Sequence, residues 1–181
     1  RRRAPKRATA VAVRRFVRQN LVVMVVLLQL HVPVGVQALD ATVLTPAIAA
    51  RYPTVAWVTT EELSRWLRDD RPVFLMDVRA RVEYDVSHLE GAVWMEGPGV
   101  DPVRLPNPDG ARVVVYCSVG WRSAAVVARL RAAGVDAYNL KGGIFQWANE
   151  GRPLQRAGRP VREVHPYDAL WGRFLRRELW A

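Results

Sequence analysis

The sequence predicts an α/β fold: an open parallel sheet of about five strands, covered by helices on both faces. Three observations lead there. Apolar runs at residues 73–76 and 113–116 have strand length and no polar face, the pattern of strands buried on both sides. Helical patterns alternate with these runs along the chain. A lone cysteine, Cys117, ends one run, and a helical pattern opens just after Gly120. In open sheets of this kind, sites lie at the carboxyl ends of strands.

The elements follow in order. Residues 39–55 mix small and polar side chains and read as a linker. Residues 56–58 are a short strand. Thr59 and Glu62 form a capping box, and Leu63, Trp66 and Leu67 then recur at helical spacing until residues 69–72 end the helix. The strand at 73–76 closes on Asp77-Val78-Arg79. A helical turn spans 82–87 and another short strand 92–95. Four prolines and three glycines make 96–111 a loop. The strand at 112–116 leads through the cysteine turn into a helix over 122–133, with Ala124, Val127 and Leu130 on one face and Gly134 as its stop. A strand at 137–140 turns at Lys141-Gly142-Gly143 into a helix over 144–149. The main domain is therefore expected at 56–154. In the extension, 155–181, Leu170, Trp171, Phe174, Leu175 and Leu179 recur at helical spacing, with Arg173, Arg176 and Arg177 between them. This predicts an amphipathic helix, either packed on the domain or lying on an anionic membrane surface.

The net charge of +10 is uneven. Residues 1–20 carry eight basic and no acidic residues, residues 40–150 twelve basic and fourteen acidic, and residues 151–181 seven basic and three acidic. The basic balance belongs to the ends, so a nucleic-acid-binding face on the domain is not supported. No charge appears from Gln19 to Leu39, and Leu21 to Leu28 is uninterrupted apolar sequence. A basic arm, an apolar run, Pro33 and Gly35 as breakers, and the small residues of Val36-Gln37-Ala38 are in the order of a secretory signal. The same residues, 1–38, also suit an uncleaved membrane anchor. Either reading puts the domain outside the cytoplasmic membrane (periplasmic or held at the inner membrane) in a bacterial host.

One cysteine excludes an internal disulfide and a multi-cysteine zinc site. A cysteine at a strand-to-helix turn receives inward backbone N–H groups and the positive end of the helix, both of which favour the reactive thiolate. No metal or other cofactor is called for.

Four segments then carry a resemblance. They are Asp77-Val78-Arg79 with Glu83-Tyr84; Ser87-His88-Leu89-Glu90-Gly91-Ala92; Val115 through Ser123; and Leu140-Lys141-Gly142-Gly143-Ile144-Phe145-Gln146-Trp147. In this order they resemble the rhodanese family, the single-domain sulfurtransferases, over about residues 57–154. The family often has Gly where Ser87 stands and Pro where Glu90 stands; neither position carries the sulfur chemistry. The resemblance implies a catalytic Cys117 that accepts a sulfane sulfur from thiosulfate or a persulfide and yields it to cyanide or a thiol. It implies an active-site loop of Ser118, Val119, Gly120, Trp121 and Arg122. Arg122 either holds the loop or pairs with an anionic donor, Trp121 lines the mouth, and Asp77 and Arg79 support adjacent loops. Four residues separate Cys117 from Arg122. Related phosphatases use one more, so the shorter loop argues for sulfur transfer. The remaining alternative is a sulfur-carrier or protein-binding module without significant turnover.

Overall fold

Five strands, all parallel, form the central sheet: β1 (Ala56–Val58), β2 (Val73–Asp77), β3 (Val93–Trp94), β4 (Arg112–Tyr116) and β5 (Ala137–Leu140), in the order β1-β5-β4-β2-β3. The computed structural model describes residues 38–69, 71–97, 100–101, 105 and 110–181. Val113, Val114, Val115 and Tyr116 are all fully buried. Successive side chains of a strand point to opposite faces, so the sheet is covered on both. That agrees with the fold class read from the sequence.

The helices are α1 (Thr45–Arg51), α2 (Thr60–Trp66), α3 (Arg81–Val86), α4 (Trp121–Ala132) and α5 (Gly143–Asn149). The Thr59–Glu62 capping box starts α2, with both reciprocal bonds formed. The path from β4 through α4 to β5 runs toward one edge of the sheet, and that from β2 through α3 to β3 toward the other. Right-handed connections then set α3 and α4 on opposite faces. The strand order reverses between β4 and β2, and Cys117 sits at the carboxyl end of β4, at this switch point.

Two expectations need correction. Residues 39–55 are not a linker. Asp40 caps a 3₁₀ turn at Ala41–Leu44, its side chain accepting from Thr42 N–H at 2.7 Å, and α1 follows at once. Ala41, Leu44 and Ile48 are buried, and their helical spacing was the available signal. The extension does not form one amphipathic helix. Residues 154–161 make an antiparallel hairpin, β6 (Leu154–Arg156) and β7 (Arg159–Val161), turned by Ala157 and Gly158 at positive φ. Beyond it the chain makes two 3₁₀ turns, Trp171–Phe174 and Arg177–Leu179. A continuous helix is displaced by bonds to the domain: Asn149 donates to Phe174 O and accepts from Arg176 N–H. Gly172 also packs against the Trp180 side chain, with no room for a Cβ. Phe174, Leu175 and Leu179 are buried, so these three of the five apolar residues are used in packing, while Leu170 is exposed.

Residues 37–181 thus form one unit, wider than the expected 56–154. The secretory signal or anchor expected over 1–38 lies, Ala38 apart, outside the described residues. Among the described residues no helix is long and apolar enough to cross a membrane.

Candidate active site

Cys117 leaves β4 at the centre of the sheet and is buried, with 1% of its surface exposed. Its Sγ accepts the Gly120 N–H at 3.2 Å and the Ser123 hydroxyl at 3.4 Å. Gly120 caps α4 with φ +100°, a conformation that resists any side chain. The tight return at Gly120 is what aims its N–H back at the sulfur.

The loop is held from behind by α5. Ile144 N–H donates to Cys117 O at 2.9 Å and Phe145 N–H to Ser118 O at 3.0 Å. The free donors of one helix end thereby satisfy the buried carbonyls of the loop. This requires Gly143, whose φ is +59° and whose Cβ would lie 2.6 Å from Ser118 O and closer still to Cys117 O. Below the loop, Asn139 Nδ2 donates to Gly120 O at 2.8 Å. Ile48 of α1 packs beneath Gly120, so the segment read as a linker is part of the loop's support.

Arg122 reaches Glu83 on α3 through both terminal nitrogens, at 2.7 and 2.8 Å, and Ser118 Oγ at 2.9 Å. Ser118 in turn donates to Glu83 at 3.0 Å, and Ala80 N–H caps the same carboxylate. Burial works against the Glu83 carboxylate, but the Arg122 hydrogen bonds and charge outweigh it and hold its carboxyl below the usual range. Burial likewise opposes the Arg122 cation, and Glu83 together with Cys117 outweighs it and raises its value. Of the two roles expected for Arg122, the geometry gives it that of holding the loop.

Asp77 and Arg79 do not line the site. Their side chains are fully buried and paired at 2.7 Å, and Arg79 also donates to Ser87 O at 2.5 Å. They fasten the turn after β2, next to β4, where Val78 N–H meets Tyr116 O. His88 stacks on Tyr84 at 3.8 Å, and its Nδ1 lies 3.0 Å from the Tyr84 carbonyl oxygen.

A pocket of about 180 Å³ opens above the sulfur, lined by Cys117, Ser118, Val119, Trp121, Arg122, Tyr167 and Trp171. Every residue of the loop named from the sequence therefore lies at or directly under one site, with Gly120 beneath. Sequence reasoning missed several contributors, Ile48 among them. Glu83 was noted only as a motif position, and the glycines at 142–143 only as a turn. Asn139 carried a signal, a single amide in an otherwise apolar buried strand. Tyr167 and Trp171 carried none. Among the described residues no cluster of acids, His and Cys could hold a metal ion.

A family model for the rhodanese-like domain matches residues 59–150. The chain belongs to the rhodanese-like family. It is similar to a sulfurtransferase of Allochromatium vinosum, 33% identical over 99 residues, which span 54% of this chain and 92% of that protein. It is also similar to a probable adenylyltransferase/sulfurtransferase, MoeZ, of Mycobacterium tuberculosis, 37% identical over 110 residues. That match covers 58% of this chain but only 28% of MoeZ, so the chain corresponds to about a quarter of that relative. Among solved structures, a rhodanese-like domain protein from Staphylococcus aureus is 30% identical with a TM-score of 0.51, covering 57% of this chain and all of that one. The rhodanese-like match ends at residue 150, before Tyr167 and Trp171.

Proposed function

We propose that the protein is a sulfurtransferase that carries a sulfane sulfur as a persulfide on Cys117. The supporting observation is the buried Cys117 sulfur that accepts the Gly120 N–H, under an open pocket, in a loop of the rhodanese spacing. In the first half-reaction the Cys117 thiolate attacks the outer sulfur of thiosulfate or of an organic persulfide. A new S–S bond forms, the donor's S–S bond breaks, and sulfite or a thiolate leaves with the bonding pair. In the second, cyanide or a thiolate attacks the outer sulfur and Cys117 departs as thiolate. Two half-reactions through a covalent intermediate give ping-pong kinetics.

Gly120 N–H and the N-terminal end of α4 stabilise negative charge on the sulfur in both half-reactions. Arg122 keeps the loop shaped through Glu83 and Ser118. No general base is required, since the nucleophile reacts as thiolate.

The test is intact mass of the full chain after incubation with thiosulfate and, separately, with an organic persulfide. A gain of one sulfur, absent in Cys117→Ser and removed by cyanide as thiocyanate, supports the reading. Loading without turnover would leave a sulfur carrier, and no loading from either donor would leave a binding module. The order of residues 1–38 supports a domain exported or anchored outside the cytoplasmic membrane, which cell fractionation checks.

A further inference from the structure

The wall of the pocket opposite the loop comes from the extension after residue 161. Val164 bridges to Trp180, Leu39 N–H donates to Arg173 O at 2.9 Å, and Asn149 holds residues 174 and 176. These bonds fix a strap whose exposed end carries Tyr167 and Trp171 into the site. Tyr167 has φ +69°, a conformation that a bulky residue adopts only when its surroundings impose it. Its N–H is held by His165 Nδ1 at 3.0 Å. Asp168 caps the Trp171 N–H at 2.8 Å, and the Trp171 ring leans on buried Phe174. The backbone that carries both rings is therefore fixed before any ligand arrives.

Charge points the same way as shape. Arg122 is the one charged residue among the described residues that line this pocket. Both its terminal nitrogens are bound to Glu83, and the Tyr167 ring lies 4.9 Å from its guanidinium carbon. A dianion entering here finds that cation already shared with a buried carboxylate, and it must give up more water against the aromatic walls than a singly charged or neutral donor does. A small apolar or aromatic body meets Trp121, Tyr167 and Trp171 instead. The pocket volume of about 180 Å³ suits a compact body, being below the ~300 Å³ of ordinary drug-sized sites.

Resting on the sulfurtransferase reading, we infer that the sulfur donor is a compact organic sulfane-sulfur compound with an apolar or aromatic body, seated by Tyr167 and Trp171, rather than the thiosulfate dianion. Benzenethiosulfonate is a suitable probe. Cys117 thiolate bonds to its outer sulfur, the bond from that sulfur to the sulfonyl sulfur breaks, and benzenesulfinate leaves with the electron pair.

The experiment compares kcat/KM for benzenethiosulfonate and thiosulfate in the full chain, with cyanide as acceptor. Taking the ratio of the two donors within each variant and comparing it with wild type removes their intrinsic reactivity. The ratio should fall about tenfold in Tyr167→Ala and in Trp171→Ala, and stay near wild type in Trp171→Phe, which keeps an aromatic face. A ratio that moves less than twofold in both alanine variants overturns the inference. If wild type turns over neither donor, the sulfurtransferase reading fails by itself. The strap is then judged by binding of benzenesulfinate and sulfite to Cys117→Ser. Benzenesulfinate binding weakened about tenfold by Trp171→Ala sustains the aromatic seat, and binding indifferent to that change ends it.

Discussion

Glu83 holds Arg122 with both carboxylate oxygens, at 2.7 and 2.8 Å, across the gap between α3 and α4. The acid is buried and the base about one-third exposed, so the pair sits at the rim of the core, with Ser118 of the loop tied between them.

Glu83→Gln should lower stability by about 1–3 kcal/mol, because the amide cannot receive all the donors now aimed at the carboxylate. The effect depends on pH in one direction. Glu83 titrates lower in the folded protein than its ordinary value of 4.5, so its contribution is complete above that value and is lost as pH falls through the folded one. Urea unfolding at neutral pH should separate wild type from Glu83→Gln, and the gap should narrow as pH falls through the folded-state value of Glu83, which lies below 4.5. A difference constant through the acid range would contradict the pairing.

Gly143→Ala should destabilise the fold by about 2–4 kcal/mol and also abolish sulfur loading. The new methyl meets backbone carbonyls of residues 117 and 118, which have no flexible side chain to yield, and the φ of +59° adds strain. Gly134→Ala offers a control, since it has a positive φ but open space around its Cβ. Denaturant midpoints for the two variants separate the clash from the backbone conformation.

Asn139→Ala removes the amide that holds Gly120 O, although Ala124 N–H still donates to that oxygen. The stability loss should be modest, about 1 kcal/mol. The rate of Cys117 persulfide formation should fall further than stability alone explains, because Gly120 also presents its N–H to the sulfur. Stopped-flow loading of the folded variant would show this, and a wild-type rate would remove Asn139 from the positioning of the loop.

Asp77→Asn should cost about 3–5 kcal/mol by leaving the Arg79 cation buried without its partner. Replacing both residues, Asp77→Leu with Arg79→Met, should recover much of that loss, since no charge then remains uncompensated. A double-mutant cycle in urea gives the coupling directly. Both forms should retain the geometry around Cys117, which the pair does not touch.

The sheet was legible because its strands announce themselves locally. Val113 through Tyr116 is apolar on both faces, and the Thr59–Glu62 box and Gly134 mark helix ends by their own chemistry. The loop from Cys117 to Arg122 was legible for the same reason, being contiguous in sequence. What escaped notice depends on distant partners. Glu83 lies 39 residues from Arg122, and its surface helix gives no sign that it faces inward. The extension has helical spacing at Leu170, Trp171 and Phe174, yet bonds to Asn149 and the close packing of Gly172 against Trp180 override it. Residues 39–55 read as a linker because their composition is bland, although Ala41, Leu44 and Ile48 share one face.

The burial of Cys117 separates the two halves of the proposed cycle by reach. The empty thiolate is recessed, with 1% of the residue's surface exposed, so a disulfide on another protein cannot reach it and exchange into a dead-end mixed disulfide. Loading adds one sulfur about 2 Å farther out, into the mouth where an acceptor can attack it. The protein would thus be exposed to foreign thiols only while it carries cargo, and would withdraw its own sulfur from contact as soon as the cargo is delivered.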